Sequence, residues 1–264
     1  TTWGGGVMKL VDGTVYHFTT QQGLPHNKVR NVIQDREGNL WFGTQKGVCY
    51  YDGKHIRHFE SSATVNKKYI RDIVEDDEGN IWFVADMQNT TKMSGDGVIK
   101  YNGRTFSYYT SKQGLGNNNI YSLYKDSRGE LWFATIGGGI TRYNGKAFKT
   151  FTTREGLSTN RVLSFTEDSG GNIWMGTRGG GVCKIGQNQF KHFTKSSGLN
   201  DEHVWGIMED SQNKIWFGTY GGGLSSFDGN NFTHYTPEQA DFFIYIRSFE
   251  EDRQGNLWFA SKGE

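Results

Sequence analysis

The sequence predicts an all-β protein, a six-bladed β-propeller of four-stranded antiparallel blades that occupies residues 1–264 as one domain. Three observations predict it. One unit recurs along the chain with an invariant internal spacing. Each unit holds four short strand-like segments joined by hairpin turns. The two ends of the chain carry complementary halves of one further unit.

The spacing is set by an Asp that precedes a Trp by six residues: Asp35 and Trp41, Asp76 and Trp82, Asp126 and Trp132, Asp168 and Trp174, Asp210 and Trp216, Asp252 and Trp258. A later glycine marks each unit again, at Gly6, Gly47, Gly97, Gly139, Gly181, Gly223 and Gly263. From that glycine to an outer-strand position is always 11 residues, reaching His17, His58, Tyr108, Thr150, His192 and His234. From there to the next Asp is always 18, so 35 residues per unit never change in length. Only the step from Trp to Gly varies, as 6, 15, 7, 7, 7 and 5.

The four segments of the fourth unit read RVLSFTED, NIWMGT, GVCKIGQ and NQFKHFT. Their β-branched and aromatic residues suit a pleated, half-buried surface. The first joins the second through Asp-x-x-Gly-Asn or a near variant, and the third mostly joins the fourth through Asp-Gly or Asn-Gly. Gly and Asn tolerate the positive φ of tight hairpins. No stretch keeps a helical period over a useful length. The repeated Trp is a broad wedge between neighbouring blades, and burying it is worth roughly 1.5–3 kcal/mol or more. The expected blades cover about 28–60, 69–110, 119–152, 161–194 and 203–236. The sixth joins 243–262, its first two strands, to 6–19, its third and fourth, and this pairing closes the ring without open sheet edges.

Composition narrows the partners. Lys+Arg 29 against Asp+Glu 28 leaves a formal charge of +1, so no global field draws in nucleic acid or an anionic membrane. Only 34% of residues are hydrophobic, but aromatics reach 15%, and large rings carry the core. No apolar run approaches the ~20 residues of a membrane helix. The chain begins at Thr1 with neither initiator Met nor signal peptide, as a mature or excised segment does.

The stretches EEDRQGNLWFASKG and FTTREGLSTNRV, and the unit pattern E-D-x-x-G-N-L-W-F-G-T-x-G-G-G behind them, resemble the two-component regulator propeller repeat. The resemblance covers essentially the whole chain. It implies a periplasmic or extracellular sensor region of a bacterial hybrid two-component system, many of which respond to oligosaccharides. Such sensors often carry two seven-bladed rings followed by an immunoglobulin-like domain, a membrane helix and a kinase.

Several residue sets invite a chemical reading. His17, His58, His192 and His234 hold equivalent outer-strand positions in four blades, which keeps them too far apart for a metal cluster. Cys49 and Cys183 are equivalent positions in the first and fourth blades, so they read as small buried residues and not as a disulfide. One Asp per turn offers too few oxygens for calcium, and capping its own turn is the expected role. The GGG runs at 137–139, 179–181 and 221–223 lack the Lys and helix of a phosphate loop. No nucleophile motif or catalytic carboxylate pair is found, so the chain reads as non-enzymatic, with no cofactor and no metal.

One position does vary in character. Five residues before each Asp, on the innermost strand, stand Arg30, Arg71, Tyr121, Leu163, Trp205 and Arg247. The residue before it is always Val or Ile, so common packing does not set this one. Arg247, Arg30 and Arg71 fall on consecutive blades and form an expected arc, with Tyr121, Leu163 and Trp205 facing it. Guanidinium pairs with carboxylate or sulfate, and rings stack on apolar sugar faces. The alternatives are that the arginines pair with Asp72, Glu75 or Glu251 and plug the channel, or that the register is off by one. The second would bring in Asn31, Asp72, Ser122, Ser164, Gly206 and Ser248. The long Trp-to-Gly link of the second unit opens on the same face. Its Met87, Asn89, Thr90, Thr91, Lys92 and Met93 suit a flap over the funnel mouth. The expected function is therefore ligand recognition, of an oligosaccharide, acidic or neutral, at that mouth. A protein-interaction scaffold for a partner domain or subunit is the rival, and a propeller lyase or hydrolase comes third.

Overall fold

The computed structural model describes residues 4–59, 65, 68–86, 95–186, 189–236 and 245–261. The predicted strands form in the predicted order. β1 (Val7–Val11) and β2 (Thr14–Phe18) make a hairpin. β3 (Val29–Gln34), β4 (Leu40–Thr44), β5 (Gly47–Tyr51) and β6 (Ile56–Arg57) form the first four-stranded sheet. β7 (Tyr69–Glu75), β8 (Ile81–Asp86), β9 (Val98–Tyr101) and β10 (Phe106–Tyr109) form the second. The third holds β11 (Ile120–Lys125), β12 (Leu131–Thr135), β13 (Ile140–Tyr143) and β14 (Phe148–Phe151). The fourth holds β15 (Val162–Glu167), β16 (Ile173–Thr177), β17 (Val182–Gly186) and β18 (Gln189–Phe193). The fifth holds β19 (Val204–Glu209), β20 (Ile215–Thr219), β21 (Leu224–Phe227) and β22 (Phe232–Tyr235). β23 (Ile246–Glu251) pairs with β24 (Leu257–Ser261).

Each four-stranded sheet is an antiparallel meander in chain order, the blade of a β-propeller. The chain divides into two compact units, residues 1–123 and 124–264. Within the first, β3 lies against β7; within the second, β15 lies against β19 and β19 against β23. In these three pairs the first strands of consecutive blades are neighbours. The two halves expected of the sixth blade are both present, as the separate two-stranded sheets β1–β2 and β23–β24. Their faces are open: Leu10 is 69% and Trp258 64% exposed, whereas the Trp of every four-stranded blade is at most 8% exposed.

Those tryptophans work as wedges. Trp41 packs with Ile73, Ile81 and Phe83 of the next blade, and Trp174 with Val204, Ile207 and Phe217. The indole N–H explains the six-residue spacing. In every unit it donates to Oδ2 of the Asp six residues earlier, at 2.7 to 2.9 Å. Oδ1 of the same Asp accepts two backbone N–H groups of the turn, as Asp126 does from Arg128 and Glu130. One carboxylate thus closes the hairpin and orients the wedge. At Asp168 burial pushes the carboxyl up, but Lys184, Trp174 and Asn172 together hold it below its ordinary value. Asp252 is held down to about 2 by Trp258 and Asn256.

A second device ties adjacent blades at this end, and its sequence signal is only the residue after each Asp. Arg36 donates its backbone N–H to Glu75 of the next blade at 2.9 Å and its Nε at 2.8 Å. Ser127 binds Glu167 through N–H and hydroxyl at 2.6 and 2.7 Å, and Ser211 binds Glu251 at 2.7 and 2.6 Å. Ser169 reaches Glu209 through its hydroxyl alone, at 3.2 Å.

Candidate functional site

At the other end of the first strands the pairing slips. In β3, Val29 faces Thr44 and Asn31 faces Gly43, so Arg30 is an extra residue. The same shift falls at Arg71 between Ile70 and Asp72, and at Leu163 between Val162 and Ser164. It recurs at Trp205 between Val204 and Gly206, and at Arg247 between Ile246 and Ser248. The position that varies along the sequence is thus the inserted residue of a β-bulge. A bulge sets two residues against one, breaks strict alternation and re-aims the side chain. The off-by-one alternative is then no longer exclusive, because both residues stand at the bulge.

The bulge has a partner on the second strand. A Cβ added at Gly218 would lie 2.6 Å from the Ile246 carbonyl oxygen of the next blade. The glycine of the repeated Gly-Thr lets the neighbouring first strand approach this closely.

In residues 1–123 the bulges gather around Tyr69. Arg30 is exposed and donates from Nη1 to the Tyr69 hydroxyl at 3.3 Å, while the Arg71 guanidinium lies over the Tyr69 ring, 5.6 Å from its centre. The following residues form a polar link: Asn31 Nδ2 donates to Asp72 Oδ1 at 2.8 Å, and Leu123 N–H donates to Oδ2 at 2.9 Å. Burial pushes the Asp72 carboxyl up to about 6, against the opposing pull of the Leu123 and Ile73 amides and of Arg30. Asn31 Oδ1 is buried with no hydrogen-bond partner among the described residues.

In residues 124–264 the bulges build an arginine–aromatic cluster. The Arg247 guanidinium stacks on Trp205, 4.7 Å from the ring centre. Tyr220 lies 6.1 Å from Trp205 and 4.5 Å from Tyr245, and is half-exposed. Arg247 and Trp205, expected to face one another across the funnel, are instead in contact on adjacent blades. Tyr121 is half-buried on β11, and Leu163 is 4% exposed and offers no surface to a ligand. The expected flap, residues 87–94 with Met87, Asn89, Thr90, Thr91, Lys92 and Met93, lies outside the described residues.

The structure adds residues that sequence reasoning missed. In the third, fourth and fifth blades the residue after the second strand bridges to the residue leading the next blade: Ile136 to Arg161, Arg178 to His203, and Tyr220 to Tyr245. Arg178 N–H also bonds the Arg161 carbonyl, and Tyr220 N–H the His203 carbonyl, both at 2.9 Å. The six residues form one continuous row, basic at Arg161, Arg178 and His203 and aromatic at Tyr220 and Tyr245. Arg161 and Arg178 are exposed and have no carboxylate partner among the described residues; His203 has Asp201 at 3.3 Å. The sequence signal was present, since the residue after Gly-Thr changes from Gln45 to Arg178 to Tyr220 while the Gly-Thr before it does not. Cys49 and Cys183 are free and buried, and burial pushes the Cys49 thiol up to about 12.

Comparison with known proteins places the repeat. The family model described as two-component regulator propeller matches residues 23–46, 114–137, 156–179, 198–221 and 243–263, passing over the unit with the long link. The extracellular domain of a hybrid two-component system from B. thetaiotaomicron is 26% identical, with a TM-score of 0.78 over 98% of this chain; the chain spans 36% of that protein's length. A streptogramin B lyase is 18% identical (TM-score 0.70, 98% of this chain and 84% of the lyase). A virginiamycin B lyase from Staphylococcus aureus is 13% identical (TM-score 0.66, 88% of this chain and 77% of the lyase). The lyases share the fold alone. No curated protein matches the chain. Among the described residues no helix is long and apolar enough to cross a membrane. By its repeat and its blades, the chain belongs to the two-component regulator propeller family.

Proposed function

We propose that this propeller is a non-enzymatic recognition module of a sensor outside the cytoplasm. It binds an oligosaccharide carrying acidic groups at the face of the first-strand bulges. The observation that carries this reading is the Arg247–Trp205 stack beside the half-exposed Tyr220. A guanidinium held on an indole keeps its hydrogen-bonding edge free for a carboxylate or sulfate, and adjacent ring faces suit the apolar faces of sugars. The Arg161, Arg178 and His203 row extends the same chemistry along the rim.

The extracellular location of the two-component relative supports a periplasmic or extracellular setting. Within residues 1–123, Tyr69 with Arg30 and Arg71 is a second arginine–aromatic group of the same kind, and we assign Tyr121 and the 87–94 link to ligand binding with it. The test is a thermal-shift and calorimetric screen with acidic and neutral oligosaccharides. Acidic ones bind, and Arg247→Ala or Trp205→Ala weakens binding at least tenfold. Binding that is indifferent to both substitutions, or no saccharide binding, overturns the proposal. Deleting 87–94 weakens binding if the link is a flap and leaves it unchanged if it is not.

A further inference from the structure

The loosest of the blade-to-blade ties opens a second site, at the opposite end of the strands from the bulges. Between the fourth and fifth blades lies a cavity of about 470 Å³ whose walls include Ser169, Trp174, Lys184, Lys191, Glu209 and Asn213. That is within the range of small-molecule pockets, roughly 300–1,000 Å³. The corresponding groove between the first and second blades measures about 200 Å³, and Arg36 borders it. There the guanidinium bonds Glu75 through Nε, the Asp77 carbonyl through Nη1 at 2.9 Å and the Asp76 carbonyl through Nη2 at 2.6 Å. In the larger cavity Ser169 stands where Arg36 stands, and Glu209 where Glu75 stands. The corresponding carbonyls belong to Asp210 and Ser211.

Glu75, Glu167 and Glu251 each accept from the backbone N–H and the side chain of the residue after the Asp. Among the described residues Glu209 accepts only the Ser169 hydroxyl, on Oε1, and none donates to Oε2. The opposite wall carries the complementary charge. Lys184 is paired with Asp168 at 2.8 Å. Lys191 faces Lys184 directly across the β17–β18 ladder and has no carboxylate partner among the described residues. Like charges directly opposite on a ladder are unfavourable, and an anion beside Lys191 relieves them.

We propose that this cavity binds a guanidinium-bearing ligand with a carboxylate at its other end. The guanidinium takes the place that Arg36 fills elsewhere, against Glu209 and the Asp210 and Ser211 carbonyls. The carboxylate meets Lys191. A planar guanidinium matches a carboxylate and two carbonyls at once, which a lysine ammonium does not. Free arginine and the C-terminal arginine of a peptide share this chemistry.

The test is calorimetric titration of the full chain with L-arginine, agmatine, L-lysine and a short peptide ending in arginine. L-Arginine binds saturably, and L-lysine binds at least tenfold more weakly. Glu209→Gln loses at least tenfold in arginine affinity. Ser169→Arg, which restores the Arg36 arrangement, abolishes arginine binding and raises the thermal midpoint. Lys191→Ala brings arginine and agmatine to equal affinity. Peptide binding as tight as that of free arginine identifies a protein partner; exclusion of the peptide identifies a small molecule. Circular dichroism checks that each variant is folded. No saturable arginine binding, or unchanged binding in either Glu209→Gln or Ser169→Arg, overturns the proposal.

Discussion

Asp126 shows what one residue does in this protein. Its carboxylate accepts two turn amides and the N–H of Trp132, whose side chain is 1% exposed. Replacing it with alanine strands a buried indole donor, which costs about 1–3 kcal/mol, with further loss from the unclosed turn. Asp126→Ala is therefore expected to lower the urea midpoint clearly. Asp252→Ala lowers it less, because Trp258 is 64% exposed and water replaces the lost acceptor. Equal losses would show that the turn, and not the indole, carries the effect. Asp72 behaves differently. Its folded-state value of about 6 lies above the ordinary 3.8, so the folded protein binds the proton more tightly than the unfolded chain. Its contribution is fully present below about 3.8 and is lost as the pH rises through 6. Going from pH 7.5 to 5 adds about 1 kcal/mol from this group. Subtracting the urea-derived pH profile of Asp72→Asn from that of the wild type isolates this slope; parallel profiles would contradict it.

At the scale of the element, the first strand is a packed segment interrupted by one bulge. Beside the bulge at Arg247 the neighbouring second strand is approached closely at Gly218. Gly218→Ala sets a Cβ 2.6 Å from the Ile246 carbonyl, a backbone atom that cannot turn aside. We expect a loss of about 1–3 kcal/mol, as for other overpacked positions, measured by urea unfolding. Gly221→Ala has open space around it and pays only for a φ of +102°, so it costs less. Little of the bulge was legible in the sequence. The period-two alternation of Val204, Gly206 and Met208 looks the same with or without it. The variable character of Arg30, Arg71, Trp205 and Arg247 was legible, and it marked the right position for another reason, which the register supplies. The row from Ile136 to Tyr245 was missed because its bridges join residues about 25 apart, in different blades.

At the scale of the whole molecule, residues 124–264 hold two candidate sites at opposite ends of shared strands. Trp205 and Glu209 are four residues apart on β19, a separation of ~13 Å along an extended strand. Sites that far apart with no shared partners act independently. An acidic oligosaccharide and L-arginine, each at about a hundredfold over its dissociation constant, should each add about 2.7 kcal/mol, and their effects should sum. A joint effect well short of the sum in denaturant titrations would show that the two sites are coupled.

What the sequence determined by itself is the blade. The Asp-to-Trp spacing, the hairpin turns and the alternating apolar residues act over a few neighbouring residues, so a linear pattern records them. The family followed from the same pattern. What only the tertiary structure decided depends on atoms about 40 residues apart brought together between blades. It set Arg247 against Trp205 instead of across from it, and it buried Leu163. It left Trp258 64% exposed on β24. It also separated Ser169 from Ser127 and Ser211. The residue type is identical in all three, but Ser127 and Ser211 hold the next blade's glutamate through N–H and hydroxyl, and Ser169 through its hydroxyl alone at 3.2 Å.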